Sequence, residues 1–430
     1  MNDGMIDSMS DANGDVTLEV SGNDTGGRVA SDEPVKVKRK FDASRMTGFA
    51  DSLATSLDRQ MKNAYRPEGT KSLRLFSARE MCDLTGISPS NLRIRSTEDP
   101  DFPQAQVDTR GHRWYSAETI DQIRDHMFRT GKNAASFRPG RREGDPLQVL
   151  SIVNFKGGSG KTTTAIQLSH RLALRGYRVL AIDMDPQASL TTMFGYRPEL
   201  EFDDTGTIYD ALRYDEYKVS IEDVIRSTYF KNLDLAPAGL VLAEFETTSA
   251  YALQNKIAPS FVQRLNIELD KVQDRYDLVI LDCPPQLGFT TMAALGASTG
   301  LIVTVVPSML DIASMSQFLK LAGELITTIE EHSNGVSVSW DFVKFLLTRY
   351  EPSDGPQTQM ASYLRAILEG EVLTEPMLKS TAISDAGVTN QTVYEVDPSG
   401  FVRKTLERAV QSVNAVGDEI EGLIQEAWGR

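Results

Sequence analysis

Cysteine is nearly missing from these 430 residues. Cys82 and Cys283 are too few and too far apart in sequence for a disulfide framework or a cysteine-built zinc or iron–sulfur centre. They fit a reducing cytosol and read as small packed residues. Long apolar runs are missing too: no stretch reaches the roughly 18–20 residues of a membrane span. The first 35 residues are acidic and rich in Gly, Ser and Asp, without the basic-then-apolar order of a secretory leader, and read as a disordered tail. A cytoplasmic protein is expected. Positive charge is in short supply, with 45 Lys/Arg against 60 Asp/Glu and a net charge of −15. As an average, that balance argues against binding nucleic acid, but the distribution is uneven. Lys71 to Arg142 holds thirteen Lys/Arg against nine Asp/Glu, so a basic module is attached to an acidic body.

The length suggests two or three domains, and the chain divides accordingly. Residues 1–40 form the tail, closed by the basic run Lys36-Val37-Lys38-Arg39-Lys40. Residues 41–66, with Phe49, Leu53 and Leu57 at helical spacing, read as one amphipathic helix, either packed on its own domain or acting as a dimerisation arm. Pro67-Glu68-Gly69 breaks the chain before residues 71–132. There Ser77 and Glu80 form a capping box for one short helix, Thr85-Gly86 ends it, and Ser88-Pro89 starts a second. This is helix-turn-helix spacing, and Gly111-His112-Arg113-Trp114-Tyr115 supplies a candidate wing. Ser88, Ser90, Asn91, Arg93, Arg95 and Arg113 are the candidate DNA contacts, being residue types that reach phosphates and base edges. Residues 133–146, rich in Pro, Gly and Arg, read as an exposed linker.

From residue 147 to 430 short apolar runs alternate with helical stretches. Val149–Asn154, Val179–Asp183, Leu233–Ala236, Leu278–Asp282, Gly300–Val306 and Phe342–Thr348 read as buried strands. They imply an α/β fold, a mostly parallel sheet covered by helices on both faces. The first strand runs into Lys156-Gly157-Gly158-Ser159-Gly160-Lys161-Thr162-Thr163, followed by a helical segment. Its glycines let backbone N–H groups face a polyphosphate at a helix N-terminus. Lys161 would neutralise the β/γ phosphates and Thr162 would hold Mg²⁺, so ATP and Mg²⁺ are the expected ligands. Two further strands end in carboxylates, at Asp183-Met184-Asp185-Pro186-Gln187 and Asp282-Cys283-Pro284-Pro285. Asp183 and Asp282 are placed near Mg²⁺, and Asp185 is the candidate for orienting the attacking water, with Lys156 an extra positive charge.

These three motifs together resemble the deviant Walker ATPases of the ParA type, over roughly Leu147 to Asn414. With the upstream helix-turn-helix module, the chain resembles the large plasmid-encoded class, which includes the RepA partition proteins of repABC replicons. The resemblance implies ATP hydrolysis serving DNA segregation, and a nucleoid-associated protein. It also implies an ATP-sandwich homodimer in which Lys156 reaches the partner's phosphates, and operon autorepression through the N-terminal module. A ParB-type centromere-binding partner that stimulates hydrolysis is implied as well. Nonspecific DNA binding by the dimer would use basic residues late in the ATPase domain, with Arg349, Arg365, Lys379, Arg403 and Lys404 chosen by charge and region. The acidic body requires that surface to be a local patch. Related readings fit less well. A MinD-type membrane attachment needs a basic C-terminal helix, whereas Leu406–Trp428 carries Glu407, Asp418, Glu419, Glu421 and Glu426. A nitrogenase-type iron protein needs cluster cysteines. A small-molecule ligase or kinase leaves the helix-turn-helix module unexplained. A transcription regulator that uses nucleotide only as a conformational ligand stays open.

Overall fold

A computed structural model describes residues 43–64, 71–131, 134–202, 206–332 and 337–430. The acidic tail and its basic run lie outside these residues. The chain forms two units, Met1–Asp58 and Arg59–Arg430. The helix α1, Ala43–Ala64, begins in the first and leaves Met46 and Leu53 exposed.

The N-terminal part of the second unit is a three-stranded sheet with three helices. Its elements are β1 (Phe76–Ser77), α2 (Ala78–Thr85), α3 (Pro89–Glu98), β2 (Gln106–Val107), β3 (Arg113–Tyr115) and α4 (Ala117–Thr130). Both cap signatures operate as the residues suggest. The Ser77 hydroxyl accepts from the Glu80 N–H while the Glu80 carboxylate accepts from the Ser77 N–H, and Gly86 closes α2 at a φ of 74°. Ser88 caps α3, with Pro89 in its first turn. Met81, Leu84, Leu92, Ile120 and Ile123 bury one side of each helix in a common core. The wing turn is tied by Asp108, which accepts from the N–H groups of Arg110 and His112 and from the Trp114 indole. Those donors hold its carboxyl down at about 2.

The remainder is a seven-stranded sheet. Its strands are β4 (Gln148–Val153), β5 (Val179–Asp183), β6 (Arg226–Ser227), β7 (Leu233–Ala236), β8 (Leu278–Asp282), β9 (Gly300–Val305) and β10 (Phe342–Leu347). The order is β10-β9-β4-β8-β5-β7-β6, parallel throughout except for β6 at the edge. Every residue of β4, β5, β8 and β9 is buried, which is why they read as continuous apolar runs. The intervening helices are α5 (Lys161–Arg175), α6 (Ser189–Met193), α7 (Pro198–Glu201), α8 (Ile208–Leu212), α9 (Ile221–Val224), α10 (Glu244–Gln254), α11 (Phe261–Asp270), α12 (Phe289–Ala297) and α13 (Met309–His332). The chain ends with α14 (Gly355–Ile367), α15 (Thr381–Val388) and α16 (Arg403–Ala427). Two apolar cores cover the two faces of the sheet, and the core containing α5 and α16 continues into the N-terminal helices.

The stretch read as an exposed linker is exposed at Ala135, Ser136, Arg142, Glu143, Gly144 and Pro146, and between these it is tied to the body. Phe137 is buried, and the Arg141 guanidinium donates to the carbonyls of Asp145 and Tyr276. The Arg141 N–H reaches Asp277 at 3.1 Å. Beyond one short 3-10 turn at Ala134–Phe137 the stretch has no regular structure, yet arginine can strap such a loop down by capping carbonyls.

Candidate nucleotide site

The site forms at the carboxyl ends of β4, β5, β8 and β10, where an open α/β sheet binds its ligands. Gly158 and Gly160 have φ of 76° and 86°, a region that side-chain-bearing residues rarely adopt, so the loop between β4 and α5 can curl. Three of its carbonyls are occupied by side chains. Lys161 Nζ donates to the Lys156 carbonyl at 3.2 Å, Arg349 Nη1 to Gly158 at 3.3 Å and Thr348 Oγ1 to Ser159 at 2.6 Å. Turning those carbonyls to protein donors leaves the loop N–H groups for an anion in the cleft. The Ser159 hydroxyl is spent on Thr304 Oγ1 at 3.0 Å, so Ser159 serves through its backbone. The cleft has a volume of about 510 Å³ and is lined by Gly157, Gly158, Gly160, Lys161, Thr162 and Thr163, and on its other side by α15 and the segment before it. That is within the usual size range of ligand sites. A second cleft of about 610 Å³ beside Tyr209, Arg213 and Tyr217 contains none of the loop residues.

The two lysines of the loop are held differently. Lys161 is buried, and burial lowers its pKa against the opposing pull of Asp282, Cys283 and Asp185. Lys156 lies at the rim with its side chain 41% exposed, and its Nζ pairs with Asp311 Oδ2 at 2.8 Å. Asp311, at the start of α13, also accepts from Ser308. Sequence reasoning missed Asp311, and an isolated Asp in a helix first turn gives no signal by itself.

Asp183 and Asp282 face each other in register on adjacent strands, both fully buried. Burial pushes both carboxyls upward, and the interaction with Asp183 adds to the rise at Asp282. Their surroundings separate their roles. Asp183 accepts from the Thr191 N–H and hydroxyl, both at 2.8 Å, and from the Asp185 N–H at 3.1 Å. It pins the loop 185–191. No backbone N–H reaches the oxygens of Asp282, and the one side chain that offers it a hydrogen bond is the neighbouring Thr162 hydroxyl, at a geometry too poor to satisfy it. A buried carboxylate beside Thr162 and Lys161 has the donor chemistry of a cation site, and Asp282 with the Thr162 hydroxyl are the residues that could hold Mg²⁺. Asp185 is half-buried on the cleft wall, one carboxylate oxygen capping the Gln187 N–H at 2.9 Å.

The candidate DNA contacts fall into separate places. Ser88, Ser90, Arg93 and Arg113 are exposed, and Asn91 is half-buried. Arg95 is turned inward, donating to Asp99 and Thr130, and Arg113 Nη1 reaches Ser96 on α3 at 2.8 Å. Arg349 and Lys379 line the nucleotide cleft, with Lys379 paired to Glu351 at 3.0 Å. Arg365 donates to the Thr374 carbonyl, and Arg403 pairs with Glu407 one turn on. Sequence reasoning missed Thr348 and read Arg349 as a DNA contact; the signal that could have placed both at the cleft is the end of β10, a strand end at which ligand contacts are expected.

Taken together, the parallel sheet, the glycine loop at the start of α5 and the strand-end carboxylates define a P-loop ATPase. A family model described as an AAA domain matches residues 147–334. A protein named replication protein A in Rhizobium rhizogenes is 46% identical over 387 residues, covering 90% of this chain and 95% of that protein. Its counterpart in Sinorhizobium fredii is 44% identical over 88% of this chain and 93% of its own length. The protein SopA of Escherichia coli is 27% identical over 76% of this chain and 82% of its own. A solved structure titled Partition Protein shares the fold, with a TM-score of 0.57 at 17% identity, covering 89% of this chain and 99% of its own. The chain therefore belongs to the replication protein A (RepA) family within the ParA/SopA partition ATPases. Among the described residues, no helix is long and apolar enough to cross a membrane.

Proposed function

We propose that this ATPase separates replicated plasmid DNA in the cytoplasm through an ATP-controlled dimer that binds DNA without sequence preference. A ParB-type centromere-binding partner stimulates its hydrolysis, and the protein represses its own operon through the winged helix-turn-helix. The observation that carries this reading is the division of labour between the two lysines. Lys161 is enclosed with the phosphate loop, whereas the Lys156 side chain is 41% exposed and held by Asp311, which suits a lysine that serves the phosphates of a second copy.

Within one site, Lys161 and the loop N–H groups neutralise the phosphates of ATP. Thr162 and Asp282 hold Mg²⁺, which when bound supplies further charge neutralisation there. Asp185 on the cleft wall orients the attacking water. Asp183 keeps the loop carrying Asp185 in place through Thr191. Lys156 leaves Asp311 to complete the partner's site. The C-terminal helix supports this reading over membrane attachment. Its apolar face, with Leu406, Val413, Ile420 and Ile424, is buried in the core of its own domain.

Light scattering on the wild type and Lys156→Ala with Mg²⁺ and ATP, ADP or no nucleotide tests the proposal. The expected result is an ATP-dependent dimer in the wild type alone, accompanied by salt-sensitive binding to a mixed-sequence duplex. Normal ATP dimers of Lys156→Ala would remove the cross-site role.

A further inference from the structure

The second helix of the N-terminal module presents one polar face that includes a single exposed apolar residue. At 100° per residue, Ser90, Arg93, Ile94 and Thr97 share a side of α3, and all four are exposed. Leu92 lies opposite and is 4% exposed, so the orientation of the helix is fixed by burial. Ile94 is 52% exposed and lies between Ser90 and Glu98 on the outward arc. The wing meets the helix on the flank beside Arg93. Arg113 on β3 donates to Ser96 of α3, and its cross-strand partner on β2 is Val107, 63% exposed. Paired residues on an antiparallel ribbon project to one side, so Val107 and Arg113 share a face of the wing. The Arg95 ion pair with Asp99 takes the other candidate arginine of α3 away from this surface.

We propose that Ile94 is a specificity-determining residue that reads the 5-methyl group of a thymine in the major groove of the operator, with Arg93 beside it contacting the same site. The proposal rests on the operator-binding reading above and deepens it. The occupant is double-stranded DNA because the arc combines arginine and hydroxyl side chains with one apolar group. The thymine methyl is the one apolar group that base edges expose in the major groove. A recognition helix at this position in the motif enters that groove.

Full-length protein is used to select duplexes from a random-sequence library. Affinities are then measured for the selected duplex and for copies in which each thymine in turn is replaced by deoxyuridine. In the wild type, one thymine is expected to lose about fourfold on replacement, the worth of one buried methyl group. Ile94→Ala is expected to bind the selected duplex roughly tenfold more weakly and to ignore that replacement, whereas Ile94→Val retains the sensitivity. Unchanged affinity with retained deoxyuridine sensitivity in Ile94→Ala would overturn the assignment while leaving operator binding standing. Failure of any sequence to be enriched would overturn operator binding itself, and the assignment with it.

Discussion

Replacing Lys71 with Met tests how the winged module is fastened to the ATPase body. Lys71 enters a pocket in which its side chain is 5% exposed and that of Glu395 is 1% exposed, 3.2 Å apart. The ammonium also donates to the carbonyls of Met193 and Asn390, so one cation joins α6 and the turn after α15 to the strand leading into β1. Glu395 keeps two other donors, Tyr229 at 2.8 Å and the Thr392 N–H at 2.7 Å. Removing one partner of a buried ion pair costs about 3–5 kcal/mol because a bare charge is left behind. The two remaining donors place Lys71→Met near the lower end, at about 3 kcal/mol. Glu395→Gln strands the ammonium instead and is expected to cost a similar amount. The double variant buries no charge, so its loss should be smaller than the sum of the two by at least about 2 kcal/mol. Urea unfolding of the four proteins at pH 7.5 without nucleotide measures this cycle. Hydrogen exchange in α2 and α4 should rise in Lys71→Met alone. Additive losses, or a Lys71→Met loss under about 1 kcal/mol, would show that the pair does not fasten the module.

Arg349→Ala should weaken ATP binding roughly tenfold by releasing the Gly158 carbonyl, read by titration with a labelled ATP analogue. Unchanged ATP affinity with a salt slope on mixed-sequence DNA reduced by about 1 would make Arg349 a DNA contact instead. Asp185→Ala should keep ATP-dependent dimerisation while losing turnover by two to three orders of magnitude, on the order of a positioned catalytic group. Phosphate release decides it, and normal turnover would remove Asp185 from its role.

Much of the site was legible because strong constraints leave marks on sequence. A strand buried on both faces must be apolar throughout, and a loop that wraps phosphate must contain glycine, so β4, β5, β8 and the loop at the start of α5 stand out. β6 is two residues long and leaves no periodicity. The separation of Asp183 from Asp282 was not legible, since both are single carboxylates at strand ends. It depends on Thr191, eight residues further on, folding back to take the oxygens of one and not the other. Arg95 and Arg93 carry the same charge two positions apart, and only the burial of Leu92 decides which of them faces solvent.

The charge contrast between the basic module and the acidic body suggests two parts that move separately, but the contacts between them argue otherwise. Arg124 of α4, 1% exposed, donates to the carbonyl of Leu84 in α2 and, at 2.7 Å, to that of Leu174 in the last turn of α5. Arg175, beside it at the end of α5, reaches the same Leu84 carbonyl at 2.8 Å. Carbonyls at the C-terminal ends of two helices are the groups a helix leaves without internal partners, and cations are favoured there. The helix that begins at the phosphate loop therefore ends against the winged module, bound to it by the two guanidinium groups. A swing of the module away from the body would expose Arg124 and strip a donor from both helix ends. Displacement of α5 when the cleft fills would therefore carry α2 with it and shift the helix-turn-helix as a body.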